Sequence, residues 1–490
     1  MKTLILSALL CASLLLHAEN PKDAAWFEAG SGKVLPAEMV FDNPLGRLGL
    51  LNANGPVETK GHPFFEAIGS NGRACATCHQ PANAMSLSAE TIRERWHVTK
   101  GHDPVFAGID GSNNPGLPQD QESSHSLLLN RGLFRVGLPW PPAQNAAPEF
   151  SIEVVSDPTG VNRDPAWGLQ SASPTVSVFR RPRPAANLKY VLAPDVSAFN
   201  IKLGVLLDKD PDTGLPVSMN MMADARAGTL KAQAESAYRD HQEGKKGLGK
   251  DQLTRIIAFE NQVYTAQVFD KQAGNLVETD GPAALGPANV FHEMAGVLNN
   301  AAKPVFLSFD AWKQSDRDFR QSVARGADIF QNRKFWVKNV AHINSIGLAN
   351  PAKRSCVVCH NAVMSGMDRA PGWVDLGTTN YPTWTEPNVG SEHTELPVFR
   401  LTCKADARPH PYLGRVIYTS DPGRALITGK CADIGAITMG QFRGLAARAP
   451  YFSNGSAKNL AELVDYYDRR FEIRLTSQEK QDLVNFLGVL

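Results

Sequence analysis

Charge bias, long apolar runs and repetition are all scarce in this sequence. The 50 Lys and Arg nearly balance 49 Asp and Glu, leaving a formal net charge of +1. Neither nucleic acid nor an anionic membrane surface is therefore called for as a partner. Beyond the N-terminal residues no segment approaches the roughly 20 apolar residues that a membrane-spanning helix needs. Low-complexity tracts and short-period repeats are missing as well. What remains is an ordinary soluble composition, 43% hydrophobic and 20% charged over 490 residues, long enough for two or three domains.

The N-terminus departs from that composition. Lys2 supplies a positive start, Leu4 to Leu16 is apolar apart from small residues, and Ala18 offers a small residue for cleavage. This pattern reads as a secretory signal peptide over residues 1–18 and predicts export to the periplasm. Leu16 stands where a small residue is preferred, and Leu10 before Cys11 does not suit lipoprotein processing. Of the seven cysteines, Cys11 leaves with this segment and four lie in two short motifs, so Cys403 and Cys431 are left over. In an oxidising compartment such a pair is most simply a disulfide, with two buried thiols as the alternative.

The two motifs are Cys75-Ala76-Thr77-Cys78-His79 and Cys356-Val357-Val358-Cys359-His360. Two thiols three residues apart on a helical turn can both reach the vinyl groups of one porphyrin, and the adjacent histidine then offers an axial nitrogen to the iron. Chance would produce only about 0.002 such motifs in a chain of this composition. Half a zinc site or a redox dithiol is the competing reading of one motif, yet neither has a second CxxC or a nearby HxxxH. The chain is therefore expected to carry two covalently bound c-type haems. Its haem ligands would be Cys75, Cys78 and His79, then Cys356, Cys359 and His360.

Between the motifs, Asp110 to Met222 is rich in Pro, Gly, Asn and Ser and reads as loops and short strands. Helical spacing appears elsewhere: after Asp251 (Leu253, Ile256, Ile257, Val263), around Val323, Ala327 and Phe330, and after Asn459 and Thr476. Asn459 with Glu462, and Thr476 with Glu479, have the spacing of capping boxes. The expected fold is mainly α, with two cytochrome c-like haem domains carrying loop-rich, short-strand insertions. The division would be residues 19–300 around the first motif and 301–490 around the second.

Two haems alone permit a carrier or an enzyme. The segment Gly444 to Ser456 (Gly-Leu-Ala-Ala-Arg-Ala-Pro-Tyr-Phe-Ser-Asn-Gly-Ser), followed by Leu460 to Tyr467 and Leu475 to Leu487, resembles the C-terminal haem domain of the bacterial dihaem cytochrome c peroxidase and MauG superfamily. Asp224-Ala225-Arg226, then Leu230 and Gln233-Ala234, is similar to a second stretch of that family. The resemblance spans both haem motifs and most of the chain after Asp224. It implies a periplasmic peroxidase-like oxidoreductase that reduces hydrogen peroxide through high-valent haem iron. Electrons would come from a small donor such as a cytochrome c or a cupredoxin, and the resemblance admits a homodimer.

Carried over by position, the family's distal glutamine falls on Gln233 and its acid–base glutamate on Glu243, with His241 as a substitute. A carboxylate there could take a proton from peroxide and return it to the departing oxygen; the plain alternative is that Glu243 is a solvated helix end. Where the peroxidases place a methionine as sixth ligand of the second haem and MauG-like members a tyrosine, this chain has Tyr467. Tyr467, unlike Tyr466, falls on the apolar stripe of its helix. A merely hydrogen-bonded buried tyrosine is the alternative, and Met439, Met364 and Met367 are competing ligands.

Three further points follow from the resemblance. The family commonly has a tryptophan just before its Asp224-equivalent segment, but this chain reads Met221-Met222-Ala223 there. Trp167 and Tyr264 are stand-ins without positional support. A calcium ion between the domains would fall near Thr438 and Gly440, where no acidic cluster marks a site. His125 is a candidate labile ligand of the first haem, or a satisfied core histidine. Two other functions remain open on sequence: a MauG-like oxidase of a protein or organic substrate, and a dihaem electron-transfer cytochrome without peroxidase activity.

Overall fold

Alternating apolar and polar residues build small sheets around a helical framework in the computed structural model. It describes residues 25–192, 209–218, 220–292, 308–340, 351–360, 373–380 and 394–490. The expected signal peptide, the boundary expected at residue 300, and Met364 and Met367 lie outside the described residues. Strands β1 (Glu38–Asn43) and β2 (Gly46–Asn52) form a hairpin. Its turn is held by Asn43 Oδ1, which accepts from the Leu45 and Gly46 amides, as short polar side chains do at turns.

In the Pro-rich middle, β3 (Phe134–Pro139), β4 (Phe150–Ser156) and β5 (Thr175–Arg180) are short. β6 (Val263–Asp270) returns to pair with β2, whereas β7 (Val398–Cys403) and β8 (Val416–Thr419) belong to the C-terminal half. Pairing is antiparallel throughout: β3 with β5, and β4 with β7, which also takes β8 on its other side. The sheet β4–β7–β8 therefore joins the middle of the chain to its last hundred residues. Phe150, Val176, Val178, Phe399, Leu401 and Ile417 fill the core beneath it. Cys403, at the end of β7, is bonded to Cys431. Strands also form outside the Pro-rich middle: β1 turns Phe41 inward and leaves Val40 exposed, and β2 buries Leu48 and Leu50.

Six helices of eleven or more residues stand among the described residues: α1 (Ala89–Thr99), α2 (Leu230–His241), α3 (Lys250–Gln262), α4 (Asp318–Asn332), α5 (Leu460–Phe471) and α6 (Ser477–Gly488). Caps explain most of their starts. Thr229 accepts from the Ala232 amide, Asn459 from Glu462, and Thr476 from Glu479 with the Glu479 carboxylate returning to the Thr476 amide. α3 starts earlier than expected. Gly249, not Asp251, precedes its first turn, and the Gln252 side chain accepts from the Gly249 amide. Asp251 instead lies inside that turn, where a negative charge suits the positive end of the helix.

α4 crosses α6 at unusually close range. A Cβ at Gly326 would stand 2.0 Å from the Asp482 carbonyl oxygen. Ser322 donates to the Asp482 carboxylate at 2.5 Å and Arg325 grips it with two bonds of 2.9 Å. Val323, Ala327 and Phe330 then meet Leu483, Phe486 and Leu487 across the contact. Gly326→Ala is expected to force the helices apart and lower stability by about 1–3 kcal/mol. An unchanged urea midpoint for that variant would show that the close approach is not needed.

Candidate functional site

Both CxxCH motifs adopt the same local turn. The His79 amide donates to the Cys75 carbonyl at 3.1 Å and the His360 amide to the Cys356 carbonyl at 3.0 Å, each after a single 3-10 turn. One helical turn puts both thiols and the imidazole on the same side, and each set borders its own cavity, of about 200 Å³ and about 220 Å³. Burial pushes the Cys75, Cys78 and Cys356 thiols up to about 12, so they are neutral rather than reactive thiolates.

At the first motif, His79 Nδ1 lies 2.9 Å from the Met85 carbonyl oxygen. A carbonyl only accepts, so Nδ1 carries the proton and Nε2 keeps its lone pair, the arrangement typical of metal-ligating imidazoles. Among the described residues Nε2 makes no hydrogen bond. The carbonyl is aimed by a tight turn in which Ala84 and Met85 both take left-handed backbone angles, φ 55° and 56°. Such residues store strain of about 1–3 kcal/mol each, and they recur where a site must be held in place.

The rest of the first cavity comes from α2 and α3. Gln233 and His241 line it from α2, and Ile256 and Glu260 from α3. His241 Nδ1 stands 2.6 Å from Asp110, whose carboxylate also takes the buried Arg73 guanidinium. Burial opposes ionisation of Asp110, but Arg73 and His241 prevail and hold it below the usual carboxylate range. Glu260 is the opposite case. It is 5% exposed, its Oε2 has no hydrogen-bond partner among the described residues, and burial pushes it up to about 8. It is therefore a neutral acid at pH 7. Between Glu260 and the motif, Gln242 Nε2 approaches Cys75 Sγ at 3.3 Å.

Glu243 does not enter this cavity. α2 ends at His241, the chain turns through Glu243 at φ 53°, and the side chain is exposed while its carbonyl accepts from Ser70. Carrying the family position forward residue by residue assumed a helix that continued; the left-handed turn swings the carboxylate to solvent. Glu260 escaped sequence reading although it sits four residues after Ile256 on the apolar face of α3. A glutamate at that spacing was the available signal.

In the second cavity His360 Nε2 lies 3.4 Å from the Tyr467 hydroxyl. His360 and Tyr467 are therefore the two side chains of this cavity that would hold a metal ion from nitrogen and oxygen. Burial raises the Tyr467 hydroxyl well above its ordinary value, which favours the neutral phenol until a cation is present. Phe330 and Phe442 flank the His360 ring at 6.0 and 4.6 Å. Contrary to the expectation from the apolar stripe, Tyr466 is the buried one of the pair and Tyr467 is half-buried; the Tyr466 hydroxyl, however, donates to the Leu376 carbonyl, whereas Tyr467 lines the cavity. Met439 borders this cavity and the first.

The remaining expected residues fall elsewhere. His125 is fully buried, with its ring nitrogens 3.2 and 2.9 Å from the Gln121 and Phe106 carbonyls, and it borders neither cavity. Trp167 is 37% exposed beneath Arg135, and Tyr264 packs on Phe291. Neither stands between the cavities, whose common wall is formed by Arg181–Pro184 and Met439–Gln441. Thr438 donates to the Met222 carbonyl, and the described residues contain no cluster of three or more His, Cys, Asp or Glu fit for a metal ion. No helix among them is long and apolar enough to cross a membrane.

No family model matches the chain. Over 155 residues it is 26% identical to cytochrome-c peroxidase IdrP1 of Pseudomonas sp. (strain SCT), a match covering 28% of this chain and 37% of that protein. The aligned part is thus little more than a third of the relative's length. Among solved structures, hydrazine synthase of Kuenenia stuttgartiensis aligns with 14% identity over 84% of this chain and 90% of that one, at a TM-score of 0.30. A MauG-like protein associated with microbial copper homeostasis aligns with 18% identity over 64% and 76%, at a TM-score of 0.26. At those scores neither alignment bears on fold or activity. The sequence match makes part of this chain similar to one cytochrome-c peroxidase, and each of the two CxxCH motifs borders a cavity of its own.

Glu260 makes stability depend on pH. Its folded value, about 8, lies above the roughly 4.3 of an unfolded glutamate. The folded chain therefore binds more protons between those values, and stability falls as pH rises from about 4 to 8. The upper limit is roughly 5 kcal/mol across that window. Glu260→Gln removes the dependence, so its Tm should gain on the wild type between pH 5 and 8 and then level off. A Tm difference that stays flat over this range would refute the buried neutral carboxyl.

Proposed function

We propose that the chain is a periplasmic dihaem oxidoreductase of the peroxidase type. It reduces hydrogen peroxide to two waters with two protons and two electrons, taken from a small redox protein such as a cytochrome c or a cupredoxin. One observation carries the reading: two similar cavities, each bordered by the thiols and imidazole of one motif, share a wall yet differ at the position facing the histidine. Tyr467 faces His360, whereas His79 Nε2 meets no side-chain partner among the described residues. His79 and His360, with the cysteines beside them, would hold haem, which would supply redox-active iron for reducing a peroxide.

The chain's own residues supply the proton handling. His241, oriented through Nδ1 by Asp110, presents Nε2 as a base for the peroxide proton. Glu260, neutral at pH 7, can donate to the departing oxygen. The Gln233 amide borders the same cavity and can orient the substrate by hydrogen bonding. His241 and Glu260 thus take the part expected of Glu243. Tyr467 favours a second reading of the same machinery, an oxidase of a protein or organic substrate in the manner of MauG, because an anionic oxygen ligand stabilises oxidised iron.

A steady-state assay with peroxide and a reduced small cytochrome separates these readings. Turnover should fall on the order of 10²-fold or more in His241→Ala or Glu260→Gln, while Glu243→Gln retains wild-type kcat. Peroxide turnover that survives both losses would remove the proton-transfer assignment, and a resting EPR spectrum without any high-spin ferric signal would leave only an electron carrier. Tyr467→Phe should raise the midpoint potential of one haem and change its ferric absorption. Unchanged spectra and potentials would place Met439, or another group, opposite His360.

A further inference from the structure

The wall between the cavities holds more positive charge than the described residues around it neutralise. Arg180, at the end of β5, is fully matched: it grips Asp421 with bonds of 2.7 and 2.9 Å and also pairs with Asp224, which Arg226 shares. The next arginines are not. Arg181 donates only to the Arg131, Leu87 and Arg448 carbonyls, and Arg183 only to the Thr438 carbonyl. Arg448 donates to the Gln441 carbonyl, and its Nε has no partner among the described residues. Among the described residues none of the three forms a salt bridge. The surface they retain faces the cavities: Arg181 and Arg183 border both, and Arg448 borders the second.

Burial, and for Arg181 and Arg183 the nearby Arg448, holds them down to about 9 and about 10; burial alone brings Arg448 to about 10. All three are therefore still charged at pH 7. Three half-buried cations with no counter-charge among the described residues lose hydration that no acid there replaces. Carbonyl dipoles offset only part of it, so an anion is missing from the account. Guanidinium forks match carboxylates best, because two parallel N–H donors meet two oxygens.

We propose that Arg181, Arg183 and Arg448 form a single carboxylate-binding wall for the propionate groups of both haems. The proposal rests on the dihaem reading above and deepens it. Two haems whose carboxylates share Arg181 and Arg183 are linked electrostatically, so a change at one arginine is felt at both. Arg448, bordering one cavity, acts on one haem.

The test is a potentiometric titration of the holoprotein, followed optically between pH 5 and 8. Haem content is measured first as the pyridine haemochrome; fewer than two haems per chain refutes the dihaem reading itself, whatever the potentials do. Arg183→Gln should lower both midpoint potentials, since a lost cation favours the oxidised iron. The deficit should be largest at pH 8 and close towards pH 5, as the released propionates take up protons. Arg448→Gln should lower one potential with the same pH trend, and Arg183→Lys should keep both near wild type. Potentials unchanged in Arg183→Gln, or shifted equally at every pH, overturn the proposal. Should that variant not accumulate, Arg448→Gln alone decides on the same two criteria.

Discussion

The buried ion cluster of Arg180 with Asp224 and Asp421 is the contact on which the rest of the structure depends. It ties three distant stretches together: the end of β5, the loop before α2, and the turn after β8. Burial opposes ionisation of Asp224, yet Arg226 and Arg180 hold it down to about 2. Removing one partner of such a cluster leaves an uncompensated buried charge, typically at 3–5 kcal/mol. Its position matters more than its strength. Arg181–Pro184 continue directly from Arg180, so anchoring Arg180 also anchors the wall that both cavities share.

From that wall outward, one motif acquires two different surroundings. The two CxxCH turns are locally alike, and the histidine in each follows from the same backbone hydrogen bond. What differs is the element packed opposite. Around the first motif α2 and α3 contribute His241 and a neutral Glu260, groups able to move protons. Around the second, α5 contributes Tyr467, and aromatic rings enclose the histidine. Under the proposed function, the cavity with His241 and Glu260 is the one for reaction and the cavity with Tyr467 the one for electron storage.

Much of the helical framework was legible in the residues. Asn459 and Thr476 announced their helices through capping spacing, because a cap is a local bond between residues three apart. The pairing of Cys403 with Cys431 followed from counting. Gln233 was placed at a cavity because it lies within α2, where positions carried over by spacing keep their face. Glu243 failed for the complementary reason: two residues past the helix end, one left-handed φ reverses the direction of the side chain. Glu260 was overlooked because a glutamate in a helix is ordinarily solvated, and only packing reveals that α3 turns this one inward.

By itself the sequence determined the local features: two CxxCH turns, each a single helical turn, and the caps that start the final helices. These depend on residues within a few positions of one another, so the chain carries them in any context. Only the tertiary structure decided which side chains face the two histidines, that β4 pairs with β7 across some 250 residues, and that three arginines line the wall between the cavities with no acid among the described residues to meet them. Those are properties of enclosure. Whether a Glu is neutral, an Arg unbalanced or a Tyr a ligand depends on what has been excluded around it, and exclusion is set by elements far apart in the chain.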